Sequence, residues 1–339
     1  MSDVNYTMLG LKGSGKTCFL TGMYYEMSSG VQGYTLSSED DIDIELRNKW
    51  EKLCDEKNGE KRFPVGTDKN ERYKFTLEYS YDAIKEFNWL DYGGGDLELK
   101  STGDVDVYKE IEEIILKSTC LFICVDGDLL CEKDKKRMIE NVRNKCSSKI
   151  NGILSKYQKN NSTLPPIAIV ITKCDKFREA KIDDIEEAIK ESFSALFIKN
   201  RDKKKIVTII PVSIGKNISD NDYSGRLEPV NIHIPIFWGI WFTLKKDLQL
   251  NIETEEKVKK QLVIITNKIE YIKNRFIYFG RKKKLAELEV EKMKTAVLLQ
   301  QFQIKLKKQE EYVKQIYDQL QKLDVYIGGE KLHMENIEI

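Results

Sequence analysis

The run Gly10-Leu-Lys-Gly-Ser-Gly-Lys16-Thr17 joins flexible glycines to an amine and a hydroxyl, a set of residue types suited to gripping a polyphosphate. Gly10, Gly13 and Gly15 let backbone N–H groups wrap phosphate oxygens, with Ser14 and Cys18 in the same run. Lys16 reaches the β and γ oxygens and the Thr17 hydroxyl ligates Mg2+. Two further runs extend this chemistry. In Asp91-Tyr-Gly-Gly94 the carboxylate can hold Mg2+ and the Gly94 N–H can meet a γ-phosphate. In Thr172-Lys173-Cys-Asp175 the carboxylate can accept from both the ring N1–H and the exocyclic amine of guanine, a donor pair that adenine lacks. Lys173 is expected to lie along the base and brace the first loop. Ser213-Ile214 is expected to offer backbone to the guanine O6, and Thr67 is the candidate Mg2+ ligand that engages only when the γ-phosphate is present.

These residues need strand ends to hold them. An apolar strand over Asn5–Leu9 leads into the glycine loop, and Phe19, Leu20, Met23, Tyr24 and Met27 then repeat at helical spacing. In the connection that follows, Ile42, Leu46, Trp50 and Leu53 predict an inserted amphipathic helix. Alternation from Tyr73 to Tyr81 and the run Phe87–Leu90 predict an antiparallel pair ending at Asp91. Continuous apolar strands at Cys120–Val125, Ile167–Ile171 and Ile206–Pro211 alternate with helical stretches. The expected fold class is therefore α/β, a mostly parallel sheet with helices on both faces. A helix over Ile236–Leu250 closes this domain, placed at residues 1–250. From Glu253 the composition turns to Lys, Glu and Gln with apolar heptads such as Val258, Leu262, Ile265, Ile269 and Ile272. Residues 251–324 read as a helical hairpin or coiled coil breaking near Gly280, with one bent helix as the alternative. Residues 325–339 read as a tail holding at most a small β-turn.

Composition excludes several classes. The net charge of +1 gives no case for nucleic acid as the main partner. Two histidines leave no material for a His-based triad or metal site, and seven scattered cysteines without a CxxC pair read as free thiols in a reducing compartment. No apolar run reaches membrane-spanning length, and the expected address is cytoplasmic.

Together the phosphate loop, Asp91–Gly94 and Thr172–Asp175 resemble the translation-factor-related class of P-loop GTPases with a Ras-like G domain. The Gly10–Thr17 loop, Phe63-Pro-Val-Gly-Thr67 and Val230-Asn-Ile-His-Ile-Pro235 are most similar to small prokaryotic proteins of the double-GTPase type, associated with conflict and anti-phage systems. The resemblance implies a Mg2+-dependent GTP/GDP switch coupled to an effector protein through its switch regions and C-terminal helices. Two departures bear on catalysis. Gly95 stands where a water-orienting glutamine is usual, and Lys12 occupies a loop position that is commonly glycine, where its charge could serve the γ-phosphate. The expected intrinsic rate is low. Other readings are a non-hydrolysing GTP-bound scaffold, a homodimer through the heptads, and a dynamin-like protein touching membrane at Phe276–Lys284. The first two of these need no membrane, and for the last stretch an ordinary solvated turn is favoured.

Overall fold

The computed structural model describes residues 3–64, 70–95, 105–161, 163–177, 182–199, 205–216, 218, 225–274 and 280–334. Thr67 lies outside the described residues. The chain divides into two compact units, Met1–Ile240 with Gln319–Ile339, and Trp241–Asp318.

The first unit is an α/β layer structure on one mixed sheet. Its strands are β1 (Asn5–Leu9), β2 (Tyr34–Ser38), β3 (Glu71–Tyr79), β4 (Asp82–Asp91), β5 (Cys120–Asp126), β6 (Ile167–Thr172), β7 (Ile206–Pro211), β8 (Asp324–Ile327) and β9 (Glu330–His333), in the spatial order β2-β3-β4-β1-β5-β6-β7-β8-β9. Strands β4, β1, β5, β6 and β7 run parallel. Their carboxyl ends therefore open on one edge of the sheet, which brings the loop after Leu9, Asp91, Asp126, Thr172 and Val212 together. The antiparallel β3–β4 pair turns at Ser80 and Tyr81, both with positive φ, and β2 pairs with β3 at the sheet edge.

Strands β5 and β6 are unbroken apolar runs over Cys120–Val125 and Ile167–Ile171 because both faces of the sheet are covered. Along β5, Leu121, Ile123 and Val125 face a cluster containing Ile111 and Ile115 of α3 (Val105–Lys117), Val142 of α4 (Lys135–Val142), Ile150 of α5 (Ser148–Asn160) and Ile189 of α6 (Ile182–Ser192). The alternate residue Phe122 faces the other way, its ring 5.0 Å from Trp89 and 5.9 Å from Tyr6. Phe19 of α1 (Lys16–Ser29) stacks on the same side, 6.0 Å from Trp89. The inserted helix α2 (Asp40–Cys54) buries Leu46, Trp50 and Leu53, the face its periodicity predicts. Met138, Val142, Cys146, Ile150, Ile153 and Tyr157 repeat at the spacing of one long helix. A turn of π-helix at Arg143–Ser147 separates α4 from α5 instead. A short α7 (Ser194–Phe197) follows α6.

The C-terminal boundaries differ from the sequence expectation. The helix expected to close at Leu250 runs on as α8 (Ile234–Asn274), since Asn251-Ile-Glu-Thr contains neither glycine nor proline to stop it. The segment expected as a tail enters the sheet. Strand β8 pairs with β7, and a turn at Gly328 and Gly329, both of positive φ, returns the chain as β9.

The second unit is a helical hairpin. Helix α9 (Arg281–Leu320) runs antiparallel to α8, after Gly280 with φ +78°. Ile265, Ile269 and Ile272 of α8 pack with Leu285 and Leu288 of α9, and Asn251 donates to Gln309 at 2.7 Å further along. The aromatic and basic stretch Phe276–Lys284 lies in part outside the described residues. Among the described residues no helix is long and apolar enough to cross a membrane. All seven cysteines are free thiols.

Candidate functional site

The loop after β1 is shaped by its glycines. Gly13 (φ +79°) and Gly15 (φ +89°) adopt left-handed backbone that a side chain disfavours, and a Cβ on Gly10 would lie 2.8 Å from the Cβ of Cys124. The loop ends on the first turn of α1, so its N–H groups and the helix N-terminus face the same space. Lys16 is 5% exposed, and its Nζ donates to the carbonyls of Gly10 at 2.9 Å and Leu11 at 3.3 Å. A fixed positive charge is thereby held at an anion-ready loop.

Asp91 ends β4 opposite Met8 of β1. The Thr17 hydroxyl donates to its Oδ2 at 3.2 Å, while Oδ1, equally buried, has no hydrogen-bond partner. Burial pushes the Asp91 carboxyl up to about 6, against the opposing pull of Lys16 and the Thr17 hydroxyl. A buried carboxylate with an unsatisfied oxygen next to a hydroxyl fits Mg2+, which takes one or two hard oxygens from a protein and the rest from water and phosphate. Among the described residues no group of three or more His, Cys, Asp or Glu gathers to hold a metal by itself. Gly94 backs onto the glycine loop so tightly that a Cβ there would lie 2.5 Å from the Lys12 nitrogen.

At the other end of the site, Thr172 finishes β6 and its Oγ1 donates to the Ser14 carbonyl at 2.7 Å. This bond ties the end of β6 to the glycine loop after β1. The brace had been expected from Lys173, but that residue, at φ +54°, sends its Nζ to Asp126 at 2.9 Å and Asp128 at 2.8 Å. Burial opposes the charge on Lys173, yet the two carboxylates outweigh it and hold the ammonium above the ordinary lysine range. Lys176 adds a second ion pair to Asp128 at 2.6 Å.

Asp175 is oriented by Ser213, whose hydroxyl donates to Oδ1 at 2.6 Å. The Gly215 N–H donates to the same serine oxygen at 3.1 Å, and the Gly215 carbonyl at 2.7 Å shares the hydroxyl hydrogen with the carboxylate. Ser213 is itself fixed by backbone bonds to Val230. Sequence reasoning assigned Ser213 and Ile214 only a backbone role, so the serine side chain is an added function.

One cavity of about 430 Å3 runs between these groups, lined by Lys12, Gly13, Gly15, Lys16, Thr17 and Cys18 at one end and by Asp175, Ser213 and Ile214 at the other. That volume lies in the range of small-molecule sites. Burial pushes the Cys18 thiol up to about 12, so it lines the wall as a neutral group rather than a nucleophile. Sequence reasoning missed one wall. Glu60, Phe63 and Pro64, from the end of the insertion, line the cavity, and the adjacent Arg62 is fully buried with Nη2 donating to the Gly225 carbonyl at 3.3 Å. The signal was an aromatic-proline pair at the end of a long connection, where function concentrates.

No protein-family model and no curated protein sequence matches the chain. Among solved structures it is similar to a chain of the signal recognition particle receptor SRb-GTP/SRX complex from Chaetomium thermophilum, at 13% identity and TM-score 0.37, over 63% of this chain and 91% of that one. It is also similar to the S. cerevisiae Ski7 GTPase-like domain bound to GTP, at 16% identity and TM-score 0.34, over 62% of this chain and 43% of that one. A third likeness is to bacterial selenocysteine-specific elongation factor EF-Sec, at 14% identity and TM-score 0.29, over 65% of this chain and 27% of that one.

Proposed function

We propose that the chain binds GTP with Mg2+ and hydrolyses it to GDP and phosphate, acting as a slow switch read by an effector protein. The observation that carries this reading is a single cavity with Lys16 and Thr17 at one end and the Ser213-oriented Asp175 at the other. Phosphates would lie against the loop N–H groups and Lys16, with the guanine N1–H and amine on Asp175. Thr17 and Asp91 would hold Mg2+, which when bound supplies charge neutralisation at the phosphates.

Hydrolysis requires a water placed in line with the γ-phosphorus. The bond to the β–γ bridging oxygen breaks, its electron pair leaves with GDP, and the water proton passes to the released phosphate. Positioning is most of what a protein contributes to this step, and Gly95 offers no side chain for it. Lys12 lines the cavity and brings a charge that could offset the one developing on the γ oxygens. The low rate makes the GTP state last until a partner acts. Following the resemblance to double-GTPase-type proteins, that partner would be an effector of a bacterial anti-phage system meeting the switch regions in the cytoplasm.

The test is the nucleotide carried by protein purified without added ligand, followed by single-turnover hydrolysis at saturating GTP and Mg2+. Bound guanine nucleotide with turnover slower than one cycle per minute is expected. Rapid unassisted turnover would overturn the slow-switch reading, and a large drop in Lys12→Ala would then assign the catalytic charge to Lys12. Binding with no hydrolysis would leave a GTP-bound scaffold.

A further inference from the structure

Helix α9 carries two apolar faces, and the hairpin uses one. Its inward face, with Leu285, Leu288, Thr295, Phe302 and Leu306 at successive spacings of three, seven, seven and four, is wholly or partly buried. A second stripe at the same kind of spacing lies five residues further on, about 140° around the helix axis. It comprises Ala286, Val290, Met293, Val297, Gln300 and Ile304. Val290 is 54% exposed, Met293 71%, Val297 50% and Ile304 65%. Large side chains so exposed at regular helical spacing form a seam without its second half.

The charges around the stripe indicate what completes it. Thr295–Ile304 contains no ionisable residue, and apart from Lys292 and Lys294, which meet only uncharged positions in the register below, the charged residues on either side fall in blocks of opposite order. Moving outward toward the N-terminus, the acids Glu291, Glu289 and Glu287 precede the bases Lys284 and Lys283. Moving outward toward the C-terminus, the bases Lys305, Lys307 and Lys308 precede the acids Glu310 and Glu311. We infer that this stripe is the contact between two copies of the chain, packed antiparallel about a two-fold axis through Val297. In that register Val290 faces Ile304 of the other copy. On one flank of the seam Glu287 faces Lys305 and on the other Glu289 faces Lys307, while Lys283 and Glu311 meet nearer its centre. No two like charges are directly opposed. A parallel, in-register pairing would set every charge against its own copy, which is unfavourable. An isologous two-fold contact requires just such self-complementarity.

Within one chain the same acids meet only exposed lysines, Glu287 with Lys284 at 3.3 Å and Glu289 with Lys273 at 3.1 Å. Such surface pairs contribute little and leave both acids open to exchange partners. The inference is independent of the nucleotide reading, because it uses no residue of the cavity.

The test is sedimentation velocity of the full chain over a concentration series, with three variants. Wild type is expected to show a concentration-dependent dimer. Val297→Glu puts two carboxylates together at the axis, and at a half-exposed position it should leave the helical signal unchanged while weakening the dimer by about tenfold or more. Reversing Glu287 and Glu289 to lysine should weaken the dimer, as should reversing Lys305 and Lys307 to glutamate, and all four reversals together should restore it. A monomer at every concentration overturns the inference, whether or not the stripe then binds vesicles or another protein. A dimer indifferent to Val297→Glu, or one that the fourfold reversal does not restore, overturns it equally.

Discussion

Replacing Asp175 by Asn should change which base the cavity prefers rather than merely weaken binding. The Ser213 hydroxyl donates to Asp175 Oδ1 at 2.6 Å, with the Gly215 carbonyl at 2.7 Å as its other acceptor, and its oxygen already accepts from the Gly215 N–H at 3.1 Å. An asparagine here will therefore turn its carbonyl oxygen toward Ser213 and place its NH2 where Oδ2 stood. Guanine offers two donors, N1–H and the 2-amine. One can still meet the amide oxygen, now without charge assistance, and the other confronts a donor. The loss is one charged hydrogen bond plus the penalty of an unpaired group, together about 3 kcal/mol, or ~100-fold in affinity for GTP. Xanthine carries a carbonyl in place of the 2-amine, so the asparagine N–H regains an acceptor. XTP should then bind the variant better than GTP does.

The assay is displacement of a fluorescent GDP analogue by GTP, XTP and ATP, from wild type and Asp175→Asn. Wild type should rank GTP first and the variant XTP. Ser213→Ala is the companion, since it keeps the charge and loses only the orienting bond. GTP should weaken by about 1 kcal/mol with the guanine preference retained. If Asp175→Asn still prefers GTP to XTP, the base does not meet Asp175, and the assignment of that end of the cavity fails.

Three further outcomes follow from the geometry. Thr172→Val keeps the side-chain shape but removes the 2.7 Å hydroxyl donor of the buried Ser14 carbonyl, leaving it the Cys124 thiol at 3.1 Å, and should cost about 1 kcal/mol in urea unfolding while weakening nucleotide binding. Gly94→Ala drives a Cβ to within 2.5 Å of the Lys12 nitrogen, so the two loops must part and nucleotide affinity should fall steeply. Gly152→Ala, with nothing within 4 Å of its Cβ, should leave affinity untouched and raise stability by about 0.5–1 kcal/mol. His233 is held below the ordinary histidine range by burial, so the unfolded chain takes up a proton that the native chain refuses. Stability should decline as pH falls below the unperturbed value of 6.5, and His233→Gln should flatten that part of the denaturation profile.

The parts of this molecule that were legible beforehand are those with a short period or a fixed chemical order. Strand β5 could be read because a parallel strand buried on both faces needs an unbroken apolar run, and α2 because Leu46, Trp50 and Leu53 repeat at helical spacing. Strand β2 was not read. Tyr-Thr-Leu-Ser-Ser is short and half polar, and it is a strand because β3 lies alongside it and Tyr34 packs 4.9 Å from Phe237, more than two hundred residues away. Strands β8 and β9 were underread for the same reason. Their local sequence specifies a Gly-Gly turn, but attachment to β7 depends on partners more than a hundred residues earlier.

The site divides along the same line. Residue order alone placed the glycine loop between a strand and a helix and Asp91 and Asp175 after strands, because such spacing is a local property. The contacts that make a single cavity of the glycine loop and Asp175 are long-range: Thr172 to Ser14, Ser213 to Asp175, and Asp126 and Asp128 to Lys173. Each is a polar side chain satisfying a group from another strand end, and these become neighbours only because five parallel strands finish on one edge. The insertion follows the same logic. Arg62 is fully buried, so its charge must be met by oxygens from elsewhere in the fold, and the Gly225 carbonyl at 3.3 Å is one of them. Satisfying that buried guanidinium holds the neighbouring Phe63 and Pro64 against the cavity. The insertion is thus wall as well as connection, and the requirement that fixes it is electrostatic rather than periodic, which is why helical or strand spacing gave no warning of it.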